Sequence, residues 1–294
     1  MILIAGGAGR LGTQIVRLLD ARRLPMRVMT RDVKHGARLT ADRVTIVEGD
    51  VQDAEAVKRA VAGVRTVISA VQGFAGPGAA GPEAVDWQGN LNLIRAAQLA
   101  GVEQFILVSI QGARADHPIP LFQMKYRAEE ALRSSGLAWT ILRASAFMEL
   151  WAMLIGEPLL KTGKTTVFGR GKNPINFVSV HDVARFVELA AVDATLRGTS
   201  LDIGGPENLT FNQVAEMFQR EAGRNGRVKH VPLPVMRLAS LVMSVVNPAL
   251  ARQIQAGIVM DTDNMSFDAS DRARRFPSIP MTTLAEVVRR DFRK

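Results

Sequence analysis

The sequence predicts an α/β fold: a Rossmann-type, doubly wound parallel sheet in the N-terminal half, with a smaller, mainly helical C-terminal lobe. Over residues 1 to about 142, short β-branched apolar runs alternate with longer amphipathic stretches, which is the pattern of βαβ units. A glycine cluster follows the first of these runs directly, and from Thr210 onward helical periodicity dominates. With 294 residues and 47% hydrophobic content, the chain can bury the core that such an architecture needs.

Taken in order, the expected strands are Ile2–Ala5, Met26–Thr30, Val44–Glu48, Thr66–Ala70, Phe105–Ser109 and Trp139–Leu142. Between them, residues 10–23, 53–61, 83–100 and 120–135 carry apolar residues at three- and four-residue spacing and are expected to be helices. After Arg143 the rhythm changes. A helical segment with Trp151 and Met153 leads into the glycine- and lysine-rich stretch Gly163–Gly171, then an extended Ile175–Val178. His181–Ala191 reads as a helix and Leu201–Ile203 as a short strand ended by Gly204-Gly205-Pro206. Thr210 and Asn212 stand where a helix N-cap is expected, and Thr282 and Thr283 precede a final helix ending in Arg289-Arg290. The expected division is residues 1–150, completed by 175–205, as the nucleotide-binding domain, with 151–174 and 206–294 as a smaller substrate lobe.

The turn after the first strand reads Gly6-Gly7-Ala8-Gly9-Arg10-Leu11-Gly12 and runs into the helical Thr13–Leu19. Glycines at this spacing between strand and helix let the backbone approach a pyrophosphate, while the helix N-terminus favours its charge. The second strand ends in Thr30-Arg31-Asp32, where dinucleotide folds discriminate the ribose. Arg31, with Arg10 in support, points to the 2′-phosphate of NADP(H), since a guanidinium matches phosphate in charge and geometry. Asp32 leaves NAD(H) open, and Arg31 also reads as a solvated residue at a helix start.

Composition narrows the function classes. The chain has no cysteine, so disulfides, thiolate metal sites and a cysteine nucleophile are excluded. The net charge of +9 is scattered, with no basic run of five, and aromatics are 5%, so no nucleic-acid partner is expected. The most apolar later stretch, Leu238–Val246, falls short of the roughly 20 residues that span a bilayer and is bracketed by Arg237 and Pro248. No membrane association is expected, and the start of the chain, which lacks the signal-peptide pattern, suggests a cytoplasmic protein. His35, His117, His181 and His230 lack the paired spacing of a zinc helix, so no metal is expected. No Gly-x-Ser-x-Gly elbow occurs.

Several segments together resemble the NmrA-like family of atypical short-chain dehydrogenase/reductases, which includes NAD(P)H-dependent quinone reductases and isoflavone-reductase-like enzymes. They are the glycine turn, Gly49-Asp50-Val51, the stretch Asp86–Ile94, Val108-Ser109, Lys125 with Glu129-Glu130-Ala131-Leu132, Ser135-Gly136-Leu137, Thr140–Arg143 and Val178–Ala184. The resemblance covers residues 1 to about 190. It implies that Asp50 and Val51 border the adenine and that Ser69, Ala70 and Val71 line the nucleotide cleft. It also implies that Ser109 and Lys125 lie near the nicotinamide ribose, and that Ala144, Ser145, Ala146 and Phe147 lie near the nicotinamide ring.

One departure bears on the chemistry. The commoner short-chain dehydrogenases use Tyr-x-x-x-Lys for proton exchange, but Leu121 stands four residues before Lys125, and the single tyrosine is Tyr126. A tyrosine-dependent dehydrogenase or nucleotide-sugar epimerase is thereby disfavoured. Lys125 and Ser109 become the candidate catalytic residues, with Lys125 as a charge beside a developing oxyanion. Phe147, Met148 and Trp151, followed by Met153 and Leu154, offer an apolar wall for a flat small-molecule substrate, and read equally as core. The family pattern also slips at Ala144 and Leu150. The expectation is an NADP(H)-dependent reductase of quinone-like or conjugated acceptors. A non-catalytic dinucleotide-binding sensor or assembly protein is the alternative, and a nucleotide-sugar epimerase or dehydratase, against which the missing tyrosine counts, is a further one. No heptad pattern specifies an interface, and a homodimer is left open.

Overall fold

The computed structural model describes residues 1–36, 39, 42–74, 81–221, 223 and 225–292. Its strands are β1 Ile2–Ala5, β2 Met26–Thr30, β3 Val44–Glu48, β4 Thr66–Ser69, β5 Gln104–Ile110, β6 Trp139–Ala144, β7 Ala146–Phe147, β8 Lys164–Phe168, β9 Ile175–Val178, β10 Thr199–Ile203, β11 Glu207–Leu209 and β12 Arg227–Val231. The chain forms two compact units, Met1–Arg143 with Val183–Asp202, and Ala144–Asp182 with Ile203–Lys294.

In the first unit a seven-stranded sheet runs in the order β3-β2-β1-β4-β5-β6-β10. The β1–β2, β2–β3, β1–β4 and β4–β5 pairs are all parallel. Its helices are α1 Arg10–Ala21, α2 Val33–Gly36, α3 Ala54–Val61, α4 Asn90–Leu99, α5 Pro120–Arg133 and, from Val183 onward, α8 Val180–Val192. Strand order reverses between β1 and β4, the switch point at whose carboxyl edge doubly wound folds open a crevice.

The local sequence explains α1, α3 and α5. Leu11, Ile15, Val16 and Leu19 place one apolar stripe of α1 on the sheet. Asp53 caps α3 by accepting from the Glu55 and Ala56 amides. Pro120 opens α5 at a position where its missing N–H costs nothing. The expected helix over 83–100 begins as a π-helical turn, Glu83–Gly89, before α4. Beneath these elements lies a core built on Leu3, Leu93, Phe105, Leu107, Leu132 and Ile141.

The second unit holds α6 Met148–Trp151, α7 Glu157–Thr162, α9 Phe211–Glu221, α10 Leu233–Val246, α11 Pro248–Thr262, α12 Ser270–Arg275 and α13 Leu284–Asp291, and the first turn of α8 Val180–Val192. It also contains strands: β9 falls on the expected extended Ile175–Val178, while β7, β8, β11 and β12 were not expected. β8, in the glycine- and lysine-rich stretch, pairs in parallel with β12, and β9 pairs with β11 and β7. β8 and β12, Lys164–Phe168 and Arg227–Val231, mix charged with apolar residues and lack the apolar runs that mark the first unit's strands. Met148, Ile155, Phe177, Phe211, Phe218 and Val287 form this unit's core, and a capping box between Thr283 and Glu286 starts α13 as expected.

Candidate dinucleotide site

The glycine turn lies at the carboxyl end of β1, and its geometry is dictated by backbone contact. Gly6 has φ +82°, and a Cβ there would lie 2.7 Å from the Ala70 carbonyl oxygen. A Cβ on Gly12 would lie 2.2 Å from the Gly6 carbonyl oxygen and 2.5 Å from the Gly7 Cα. Both glycines are therefore demanded by packing. At Gly9 the nearest atom to an added Cβ is the Gly6 carbonyl oxygen, at 3.3 Å. Gly9 is also the N-cap of α1 and offers no side-chain acceptor, and the first turn carries no acid. The result is a backbone cradle, open above Gly9, with Arg10 exposed beside it. That arrangement fits a pyrophosphate, which backbone N–H groups and the helix dipole would hold.

Around this turn the structure gathers most of the residues expected from sequence. Ser69 ends β4 beside β1 and Ala70 and Val71 follow it, with the Ala70 amide donating to the Ala5 carbonyl at 2.9 Å. Arg31, past the end of β2, lies 3.9 Å from the Asp50 carboxylate past β3. Asp32 accepts the Lys34 amide at 2.9 Å and so serves the start of α2. Val51 is buried, and its carbonyl accepts from Asn92 Nδ2 at 2.9 Å.

Lys125 and Ser109 are both buried. The Lys125 ammonium donates to the carbonyls of Val71 at 2.9 Å and Val108 at 3.1 Å. It also forms an ion pair with Asp86 Oδ1 at 3.0 Å. The other Asp86 oxygen accepts the Gly73 amide at 2.8 Å. Burial pushes the Asp86 carboxyl above the ordinary carboxylate value, while the Lys125 charge and the Gly73 amide pull it back down. The Ser109 hydroxyl donates to Glu129 at 2.5 Å. Glu129 is itself buried and bridged by Arg143 at 2.5 Å and Arg133 at 3.1 Å. Lys125 thus ties the ends of β4 and β5 together, and Ser109 belongs to a second buried ionic network.

Asp86 and Asn90 carry a signal that spacing alone offers: two polar residues at i and i+4 on a helix face that is otherwise apolar. Both are fully buried. Asn90 Nδ2 donates to the Asp86 carbonyl at 2.7 Å, and the Ser69 hydroxyl donates to Asn90 Oδ1 at 2.6 Å.

The remaining expected residues belong to the second unit. The Ser145 amide donates to the Ile203 carbonyl at 3.0 Å, and its hydroxyl donates to Asn176 at 2.9 Å. Ala144 is buried at the end of β6, and Ala146 and Phe147 form β7, parallel to β9. Met148 is fully buried in this unit's core. Trp151 packs on Phe211 with ring centroids 4.6 Å apart. Glu149, His181 and Asp291 bring donor atoms within 4.8 Å of one another. Arg290 fills the role a cation would take there, 3.3 Å from Glu149 and 2.8 Å from Asp291.

The strand order and the glycine turn together define a Rossmann-type α/β protein. Residues 1–268 match the NmrA-like family, and the chain belongs to that family. It is 32% identical over 241 residues to a photosystem II assembly factor of Synechocystis, across 80% of this chain and 72% of that protein. It is 26% identical to an NAD(P)H azoreductase of Xenophilus azovorans, across 83% of this chain and 82% of that one. The fold is similar to that of an NADPH-dependent quinone oxidoreductase from Escherichia coli solved with NADPH, with a TM-score of 0.79 and 23% identity over 98% of each chain.

Proposed function

We propose that this chain is an NADPH-dependent reductase that passes hydride to a small electrophilic acceptor of the quinone-like or conjugated class. The observation that carries the reading is the cradle at Gly6–Gly12: backbone-tight at Gly6 and Gly12, open at Gly9 and free of acid in the first turn of α1. Arg31 would take the 2′-phosphate. Asp32 is engaged in capping α2, which supports NADP(H) over NAD(H). The names of the azoreductase and quinone-oxidoreductase relatives agree with this class of acceptor.

The cofactor supplies the hydride, and the protein supplies binding and field. Lys125 acts as a positioning residue, since its ammonium faces two strand-end carbonyls and Asp86. Its charge favours an oxyanion developing nearby. With Leu121 where a proton-donating tyrosine would stand, water delivers the proton.

A second reading, a dinucleotide-binding sensor or assembly protein, is favoured by two observations. The side chains of Lys125 and Ser109 are both engaged within the protein, and the photosystem II assembly factor is a relative. Initial rates of NADPH and NADH oxidation across quinones, conjugated carbonyls and azo dyes separate the two. Turnover that prefers NADPH supports the reductase, and Arg31→Gln should then raise the KM for NADPH about 10- to 100-fold while leaving NADH nearly unchanged. NADPH binding by fluorescence titration with no turnover on any acceptor supports the second reading.

A further inference from the structure

Helix α10 carries an apolar face that nothing in its unit covers. Val235, Leu238, Leu241, Val242, Val245 and Val246 are all exposed, with Leu241 at 71% and Val245 at 85%. At 3.6 residues per turn these six fall within an arc of roughly 140°. The opposite side packs inward: Met236 is buried, its methyl group set against Gly257 of α11. Monomeric surfaces scatter exposed hydrophobics singly, so a continuous helical stripe marks an interaction surface.

Charge identifies the occupant. Between Glu221 and Asp261 the chain has no acidic residue, while Arg224, Arg227, Lys229, Arg237 and Arg252 supply five positive charges of a net +9. Arg227, Lys229 and Arg237 are exposed. A second copy of this chain would bring the same positive segment against itself, which disfavours self-association here. An anionic lipid surface accepts both features, with the apolar stripe entering the acyl boundary and the flanking cations meeting the headgroups. No helix among the described residues is long and apolar enough to cross a membrane, so the contact is with one face of a bilayer. Against the expectation of no membrane association from sequence, we propose that α10, with the basic segment on either side of it, docks this protein peripherally on anionic membranes, independently of dinucleotide binding.

Co-sedimentation with phosphatidylcholine vesicles, with and without phosphatidylglycerol, at low and high salt, tests the proposal on the full chain. Binding should require the anionic lipid and fall at high salt. The double variant Leu241→Glu/Val245→Glu should lose at least about tenfold in binding, with its circular dichroism and NADPH binding unchanged. Arg227→Gln/Lys229→Gln, which leaves the apolar face intact, should lose about fivefold per charge removed. The proposal is overturned if no vesicle binds, or if neutral vesicles bind equally well regardless of salt. It is also overturned if light scattering shows a dimer that Leu241→Glu/Val245→Glu dissociates while neither form binds lipid.

Discussion

Lys125 and Asp86 form a buried pair whose members need each other. Each sits in a low-dielectric surrounding where an isolated charge is costly, and Lys125 also joins Val71 to Val108. Lys125→Met should destabilise the protein by about 3–5 kcal/mol, because it strands a buried carboxylate. Asp86→Asn keeps a partner for the Gly73 amide but strands the ammonium. The double variant should therefore cost clearly less than the sum of the two, which a double-mutant cycle in urea would measure. Strict additivity would mean that the 3.0 Å contact carries no coupling. Any loss of turnover in Lys125→Met has to be compared with this loss of stability before the ammonium is assigned to chemistry.

The turn from β1 into α1 separates what the fold requires from what a ligand requires. Gly12→Ala drives a Cβ into backbone atoms and should cost about 1–3 kcal/mol of stability as well as dinucleotide affinity. Gly9→Ala meets only one carbonyl oxygen at 3.3 Å, so its melting temperature should change little. Its NADPH affinity should still fall at least about tenfold, because the methyl group would stand where the pyrophosphate approaches. Unchanged affinity in Gly9→Ala would place the phosphates elsewhere. Isothermal titration and thermal unfolding on the same two variants give both readouts.

The response of the whole molecule to pH follows from the second unit's polar core. Burial, followed by the nearby Arg290 charge, holds His181 below the ordinary imidazole value, with Glu149, Asp291 and Asp182 opposing. The unfolded chain then binds more protons than the folded one between the lowered value and about pH 6.5. Stability therefore rises with pH through that window and falls as the solution is acidified below about pH 6.5. Thermal unfolding from about pH 7.5 to about pH 5.5 should show this decline, and His181→Gln should flatten it. An unaltered slope in the variant would assign the decline to other groups.

The sheet, its flanking helices and the glycine turn were legible in the sequence because short β-branched apolar runs and 3.6-residue periodicity are local and strong over residues 1–142. The place of Ser69–Val71 beside Gly6–Gly12 was implied only by the family resemblance, and in the structure the parallel pairing of β1 with β4 sets these strand ends side by side. The partners of Lys125 and Ser109 were not legible, because Asp86 and Glu129 meet them only through contacts that cross helices and strands. Met148 has the composition of a pocket wall and the position of a core residue, a distinction that hydrophobicity alone cannot make. The short strands β8 and β12 and the uncovered face of α10 likewise emerged only in three dimensions. Residue type sets what a side chain can do locally, while burial and long-range pairing decide which of those possibilities the fold uses.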